Sequence, residues 1–218
     1  MKIAFLFPGQ GTQSIGMGED LYNKYNEAKK IYNKVEKITG INIKKISFEG
    51  PKEILNETEN TQIAILTECL GILEVLKNKN INAEMSAGLS LGEYTALIED
   101  GVFNFEDGVK LVQKRGIIMQ ELVPRGKWKM AAILGLREEE VKEICKKVKN
   151  GFVVPANYNT IRANCNIRRR RCNYKSRRNS KKYGSKKSKY IKHCRTISYR
   201  KIKRLFSSIK KRIGKYKN

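Results

Sequence analysis

Residues 2–7 (Lys-Ile-Ala-Phe-Leu-Phe) form a short run of β-branched and aromatic side chains with little alternation, the pattern of a strand buried in a parallel sheet. A Gly-rich loop, Pro8–Gln13, follows. The spacing then changes: Leu21, Tyr25, Ala28, Tyr32, Val35 and Ile38 recur every three or four positions, which predicts an amphipathic helix from Met17 to about Ile38. Lys52–Asn56 predicts a short helix. Thr61–Lys77, with Ile63, Ala64, Leu66, Leu70, Leu73 and Leu76, predicts a strongly apolar one at the centre of the core. Ala83–Ala87 reads as a strand and Gly92–Glu99 as the helix after it. Asn104, with Asp107 three residues on, has the form of a capping box opening a helix that runs to about Val123. Strands alternating with helices in this way predict an α/β fold with a parallel sheet.

Around Pro124–Lys129 the pattern begins again. Lys129–Leu136 predicts a strand, Glu138–Lys149 a helix and Phe152–Ala156 a second strand, the opening of a small α+β unit. After Thr160 the hydrophobic periodicity stops. The chain therefore divides into residues 1–125, 126–160 and 161–218.

Charge sharpens that division. The 218 residues carry 46 Lys and Arg against 21 Asp and Glu, a net charge of +25 that taken whole suggests a nucleic-acid binder. The average conceals two different texts. Residues 161–218 hold 24 of the basic side chains and no acidic one, leaving 22 basic against 21 acidic in residues 1–160. A near-neutral globular sequence is joined to a polybasic tail. So much like charge with so few apolar residues predicts disorder for the tail, and non-specific, salt-sensitive RNA binding at most. The longest early apolar run, Ile3–Phe7, is too short for a signal sequence or a membrane span. Five cysteines (Cys69, Cys145, Cys165, Cys172 and Cys194) without a signal sequence point to reduced thiols and a cytoplasmic location. Cys165, Cys172, His193 and Cys194 have the chemistry of metal ligands, but their spacing fits no zinc module, so no metal site is expected.

The candidate chemistry lies in Gly88-Leu89-Ser90-Leu91-Gly92. A G-x-S-x-G sequence between a strand and a helix is the form of a nucleophile elbow, which exposes a serine among backbone N–H groups. The alternative is an ordinary strand-to-helix turn. Pro8-Gly9-Gln10-Gly11, after the first strand, argues for the elbow. The N–H groups of Gln10 and Leu91 would line an oxyanion hole, helped by the dipole of the helix after the serine. Arg115, within Val112-Gln-Lys-Arg-Gly-Ile, reads alone as a solvated surface arginine.

FPGQG, GLSLGEYTAL, VQKRGIIMQ, MAAILGL and VVPANYN, in this order and spacing across residues 1–159, resemble malonyl-CoA:acyl carrier protein transacylases of type II fatty acid synthesis. The resemblance implies an α/β-hydrolase-like core with an inserted ferredoxin-like subdomain, incomplete in this chain. It implies a usually monomeric acyltransferase that moves malonyl from coenzyme A to the acyl carrier protein through a serine ester, with no metal or redox cofactor. On matching positions, Ser90 is the nucleophile, Gln10 and Leu91 supply the oxyanion hole, and Arg115 pairs with the malonyl carboxylate. A guanidinium fork suits that last role, since it can give a carboxylate two parallel hydrogen bonds. The chain departs from the family at three places. Leu89 stands where many members have histidine, and Trp128 where they have a small residue. The family's catalytic histidine, in a motif like GPFHT, is missing; the single histidine, His193 in Lys-His-Cys-Arg, matches nothing in the family.

The tail is explained by a change of reading frame. Arg162–Arg169 can be written CGG GCA AAT TGT AAT ATC AGG AGG; read one base late it gives GQIVISG, the strand the family places after ANYN. Lys192–Lys201 can be written AAA CAC TGC AGG ACC ATT TCA TAC AGA AAA, which shifted gives NTAGPFHTE, with the missing histidine motif. Off frame, A-rich acidic codons become Lys and Arg codons, which accounts for the charge. On this reading the polypeptide as written is catalytically defective. The alternative is a basic nucleic-acid-binding protein with a transacylase-like head.

Overall fold

The computed structural model describes residues 2–122, 128–148, 153–160, 163–169 and 187–191, which fall in two compact units, Met1–Gln120 and Glu121–Asn218. In the first, strand β1 (Ala4–Phe7) leads through the Gly-rich loop to helices α1 (Glu19–Lys24) and α2 (Asn26–Thr39). The apolar spacing predicts one helix here. The chain instead breaks at Tyr25, whose extended backbone (φ −123°, ψ 124°) starts α2 in a new direction. A π-helical turn (Lys45–Glu49) and α3 (Lys52–Leu55) precede α4 (Thr58–Asn78), then β2 (Met85–Gly88), α5 (Gly92–Glu99) and α6 (Phe105–Leu122).

Helix α4 is buried nearly all round, with Ile63, Ala64, Ile65, Leu66, Leu70 and Leu73 in one apolar cluster with Tyr32, Val35, Leu91, Val109 and Val112. Its first turn is closed from another helix: the Gln120 side chain accepts the Thr58 N–H at 2.8 Å, so an otherwise orphan donor is satisfied. The start of α6 matches its sequence signal, since Asn104 Oδ1 accepts the Asp107 N–H at 2.8 Å.

Strands β1 and β2 pair in parallel, Ala4 beside Met85 and Leu6 beside Ala87. Parallel pairing of strands distant in sequence requires a crossover, supplied here by the helices between them. The face bearing Phe5 and Phe7 packs on the α4 cluster. The opposite face is apolar and open: Leu6 is 78% exposed and Met85 67%, with Ala4 and Ala87 also exposed.

In the second unit, β3 (Trp128–Leu134), α7 (Glu138–Lys146), β4 (Val153–Thr160), β5 (Ala163–Arg169) and β6 (Lys187–Ile191) build an antiparallel sheet in the order β4–β5–β3–β6. Glu140 reaches back to accept the Arg137 N–H at 2.7 Å and caps α7, whose Val141, Ile144 and Cys145 bury against Ile133, Leu136 and Val153. Strands β5 and β6 correct the expectation of disorder across 161–218. Ala-Asn-Cys-Asn-Ile-Arg-Arg alternates apolar and polar residues with a period of two, a strand signal that the tail's charge obscures. Backbone pairing with β3 and β4 does not depend on the charge. The rest of the tail expected to be disordered lies outside the described residues, as do His193 and the Trp128 side chain. Among the described residues, no helix is long and apolar enough to cross a membrane.

Candidate active site

Ser90 sits between β2 and α5 with φ +57°, in the left-handed region that a residue with a Cβ rarely occupies. Such strain persists only where the surroundings hold it. Two glycines let them do so. A Cβ on Gly88 would strike the Gly92 carbonyl, and one on Gly92 would stand 2.7 Å from the Phe7 carbonyl carbon and 2.8 Å from the Pro8 carbonyl oxygen. Gly9 closes the arrangement from the other side, since a Cβ there would stand 2.7 Å from the Leu89 carbonyl oxygen. The elbow and the Pro8–Gly11 loop are therefore pressed together, backbone on backbone, with the Leu89 N–H donating to the Phe7 carbonyl at 3.1 Å.

That contact brings Gln10 and Leu91 to the same end of the β1–β2 pair. Leu91 is buried and starts α5 in helical conformation. Among the described residues, neither the Gln10 nor the Leu91 N–H donates a hydrogen bond, as expected of a turn and of the first turn of a helix. Leu89, by contrast, is 58% exposed.

Arg115 arrives from α6. At Gly116 the helix comes so close to α4 that a Cβ would stand 2.8 Å from the Glu59 Cα, and this approach places the neighbouring arginine beside the elbow. Its Nη2 donates to Ser90 Oγ at 3.0 Å, its Nη1 donates to Gln62 Oε1 at 2.6 Å, and its guanidinium lies 5.3 Å from the centre of the Tyr94 ring. Burial lowers its pKa from the ordinary arginine value, while Tyr94 and Glu93 act in the opposite direction. A surface arginine, the plain reading of the sequence, has no such set of neighbours. All four candidates thus meet: Ser90 bonds to Arg115 directly, Leu91 follows it in the elbow, and Gln10 joins through Gln62.

Sequence reasoning missed Gln62. Its signal was a lone long amide inside the most apolar helix of the chain, where a buried polar group has to be hydrogen-bonded. The pairings are explicit: Gln62 Nε2 lies 3.5 Å from Gln10 Oε1 and 3.2 Å from Met119 Sδ, and Gln10 Nε2 lies 3.4 Å from Thr58 Oγ1.

This site has a serine hydroxyl, free backbone donors and a cation. Among the described residues, the one hydrogen-bond partner of Ser90 Oγ is a guanidinium, which only donates. Among the same residues no group of three or more His, Cys, Asp or Glu side chains is disposed to hold a metal ion.

Residues 4–163 match the family model described as "Acyl transferase domain". The malonyl CoA-acyl carrier protein transacylase of Bacillus subtilis is 44% identical over 160 residues, which are 72% of this chain and 50% of that protein. Among solved structures, the malonyl CoA-acyl carrier protein transacylase of Clostridium perfringens is similar with a TM-score of 0.80 at 39% identity, over 87% of this chain and 60% of that one. A malonyl-transacylase solved in complex with its type II PKS acyl-carrier protein is similar with a TM-score of 0.81 at 32% identity, over 87% and 62% of the two chains. The chain spans about half the length of the curated relatives it matches.

Proposed function

The chain belongs to the acyl transferase domain family, and on that premise we propose that its site is built to carry malonyl from coenzyme A to an acyl carrier protein. The observation that carries this reading is the 3.0 Å bond from Arg115 to a serine held at φ +57°. Ser90 Oγ attacks the thioester carbonyl carbon, the C–S bond breaks, and coenzyme A leaves as a thiol that has gained the serine proton. The thiol of the carrier's phosphopantetheine arm then attacks the serine ester, and Ser90 recovers its proton. The N–H groups of Gln10 and Leu91 stabilise the oxyanion in both halves. Arg115 turns from the serine to the malonyl carboxylate, which its fork can hold by two bonds. No atom changes oxidation state, so the reaction calls for no redox cofactor.

The same reading extends to the rest of the chain. The first unit is the start of an α/β-hydrolase-like core, and the second an incomplete ferredoxin-like subdomain. The fully antiparallel order β4–β5–β3–β6, with α7 crossing from β3 to β4, supports the latter. The tail is out of frame. The family match ends at residue 163, which supports that view. The polypeptide as written is therefore defective in catalysis, while its frame-restored counterpart is the enzyme.

The test is covalent labelling. Malonyl-CoA labelled in the malonyl group, offered to the frame-restored protein, marks Ser90 and then loses the mark to acyl carrier protein. Labelling that survives Ser90→Ala would defeat the assignment.

A further inference from the structure

The loop that carries Gln10 is held by side chains as well as by the backbone contact at Gly9. Gln13 Nε2 donates to Asn56 Oδ1 at 2.8 Å, and Gln13 Oε1 accepts the Gly11 N–H at 2.9 Å. Gln10 Nε2 donates to Thr58 Oγ1 at 3.4 Å, while Gln10 Oε1 faces Gln62 Nε2 at 3.5 Å. Thr58 and Gln62 are four residues apart on α4, so they stand one above the other on the face turned to the loop. Both amides of the loop thus end on the segment where α4 begins. That segment is itself fixed. Thr58 is fully buried, its branched Cβ restricts its hydroxyl to few rotamers, and its N–H donates to Gln120 Oε1 at 2.8 Å. Helix α6 therefore anchors the start of α4, and the start of α4 anchors the loop.

We infer that Thr58 is a positioning residue of the oxyanion hole: its buried hydroxyl oxygen, secured from α6 by Gln120, holds the Gln10 side chain and so aims the Gln10 N–H. This rests on the reading of that N–H as an oxyanion donor. Such a donor stabilises the transition state only if it already points where charge develops, because a loose N–H has to be ordered during the reaction. On one side of Gln10, Gly9 is pressed against Leu89. On the other, Gly11 has open space around it and a φ of +121° that glycine adopts readily, so it gives the loop no hold. The Thr58 oxygen supplies that hold. Its effect belongs to the transition state and not to recognition, so it acts on malonyl and acetyl groups alike.

The experiment follows acylation of Ser90 in the full 218-residue chain, with label in the acyl group of malonyl-CoA or acetyl-CoA and imidazole in the buffer as proton acceptor. The rate constant and the half-saturating concentration are read separately for each donor. Thr58→Val, equal in size but without the oxygen, lowers the rate constant roughly tenfold for both donors, a fraction of what removing a whole oxyanion donor costs. Half-saturation stays at the native value. Thr58→Ser restores the rate, because it returns the oxygen. Gln10→Met tests the same bond from the loop, with no change inside α4 and the backbone N–H kept. It slows acylation as Thr58→Val does, and the double variant is no slower than the slower single one. Thr58→Val that acylates at the native rate overturns the inference. So does a loss that Thr58→Ser does not reverse, one that appears in half-saturation instead, or losses that multiply in the double variant; each would make Thr58 a packing residue of α4. A native chain that labels no faster than Ser90→Ala defeats the reading of Ser90 and Gln10 itself, and the inference falls with it.

Discussion

The two units of this chain put polarity inside the fold in opposite ways. In Met1–Gln120 the apolar cluster around α4 is interrupted by buried Thr58, Thr61, Gln62 and Thr67, and Gln62 and Thr58 face the candidate site. In Glu121–Asn218 the described core is Ile133, Leu136, Val141, Ile144, Cys145 and Val153, with no polar side chain among its buried members. The first unit spends burial of polar groups on holding an arginine and a serine in contact; the second packs a sheet against a helix. Under the proposed function, the contrast separates two tasks of acyl transfer. The contact between Ser90 and Arg115 is complete within the first unit. A hydrogen-bonded acceptor for the serine proton is not in place among the described residues, since the one hydrogen-bond partner of Ser90 Oγ is a guanidinium, which only donates.

The strongest test of that separation is turnover. The chain as written, given labelled malonyl-CoA and acyl carrier protein, completes no repeated transfer, since general-base help is worth about 10²–10⁴ in rate. Slow single labelling of Ser90 is compatible with the contrast, because the Ser90–Arg115 contact is present. Sustained transfer to acyl carrier protein is not, and would place a base somewhere in this polypeptide.

A smaller effect sharpens the role of the first unit. In the frame-restored protein, Arg115→Ala costs malonyl transfer about 2–5 kcal/mol, typical of removing one partner of a buried charged pair, and leaves acetyl transfer nearly unchanged. Comparing kcat/KM for the two acyl groups decides it. Equal losses would make Arg115 a strut of the α4–α6 contact and not a recognition residue.

The elements of the first unit were legible because each carries its own punctuation: the Asn104–Asp107 cap, the glycines of the elbow and the dense apolar residues of α4. What local pattern could not give was the break at Tyr25, where a periodicity continuous across both helices hides a change of direction. Nor could it give β5, whose alternation is written in Asn and Arg and reads as tail until a partner strand is supplied. At the site, Ser90, Gln10, Leu91 and Arg115 were singled out from motif and resemblance. Gln62 was not, because its meaning arises only when α6 approaches α4 at Gly116. Residues that act through packing between distant segments leave only a faint mark on the sequence, here one amide among aliphatic neighbours.

The smallest prediction asks whether the elbow depends on backbone contact with β1 or merely sits beside it. A Cβ at position 92 has nowhere to go, since the Phe7 and Pro8 carbonyls are backbone groups and cannot rotate aside. Gly92→Ala therefore destabilises the fold by about 1–3 kcal/mol, the usual cost of forcing a methyl group into a closed contact. Gly71 is the matched control. It also lies in a helix and is buried, but a Cβ there meets Leu21 Cδ2 at 3.5 Å and Tyr32 Cε2 at 3.6 Å, ordinary contacts between side chains. Gly71→Ala should cost nothing and gain about 0.5–1 kcal/mol, because alanine loses less backbone freedom than glycine in a helix. Urea denaturation midpoints of the two variants decide the matter: opposite shifts are expected. A Gly92→Ala midpoint at or above the native one would mean that β1 and the elbow separate at little cost, and the strain at Ser90 would then need another source of support.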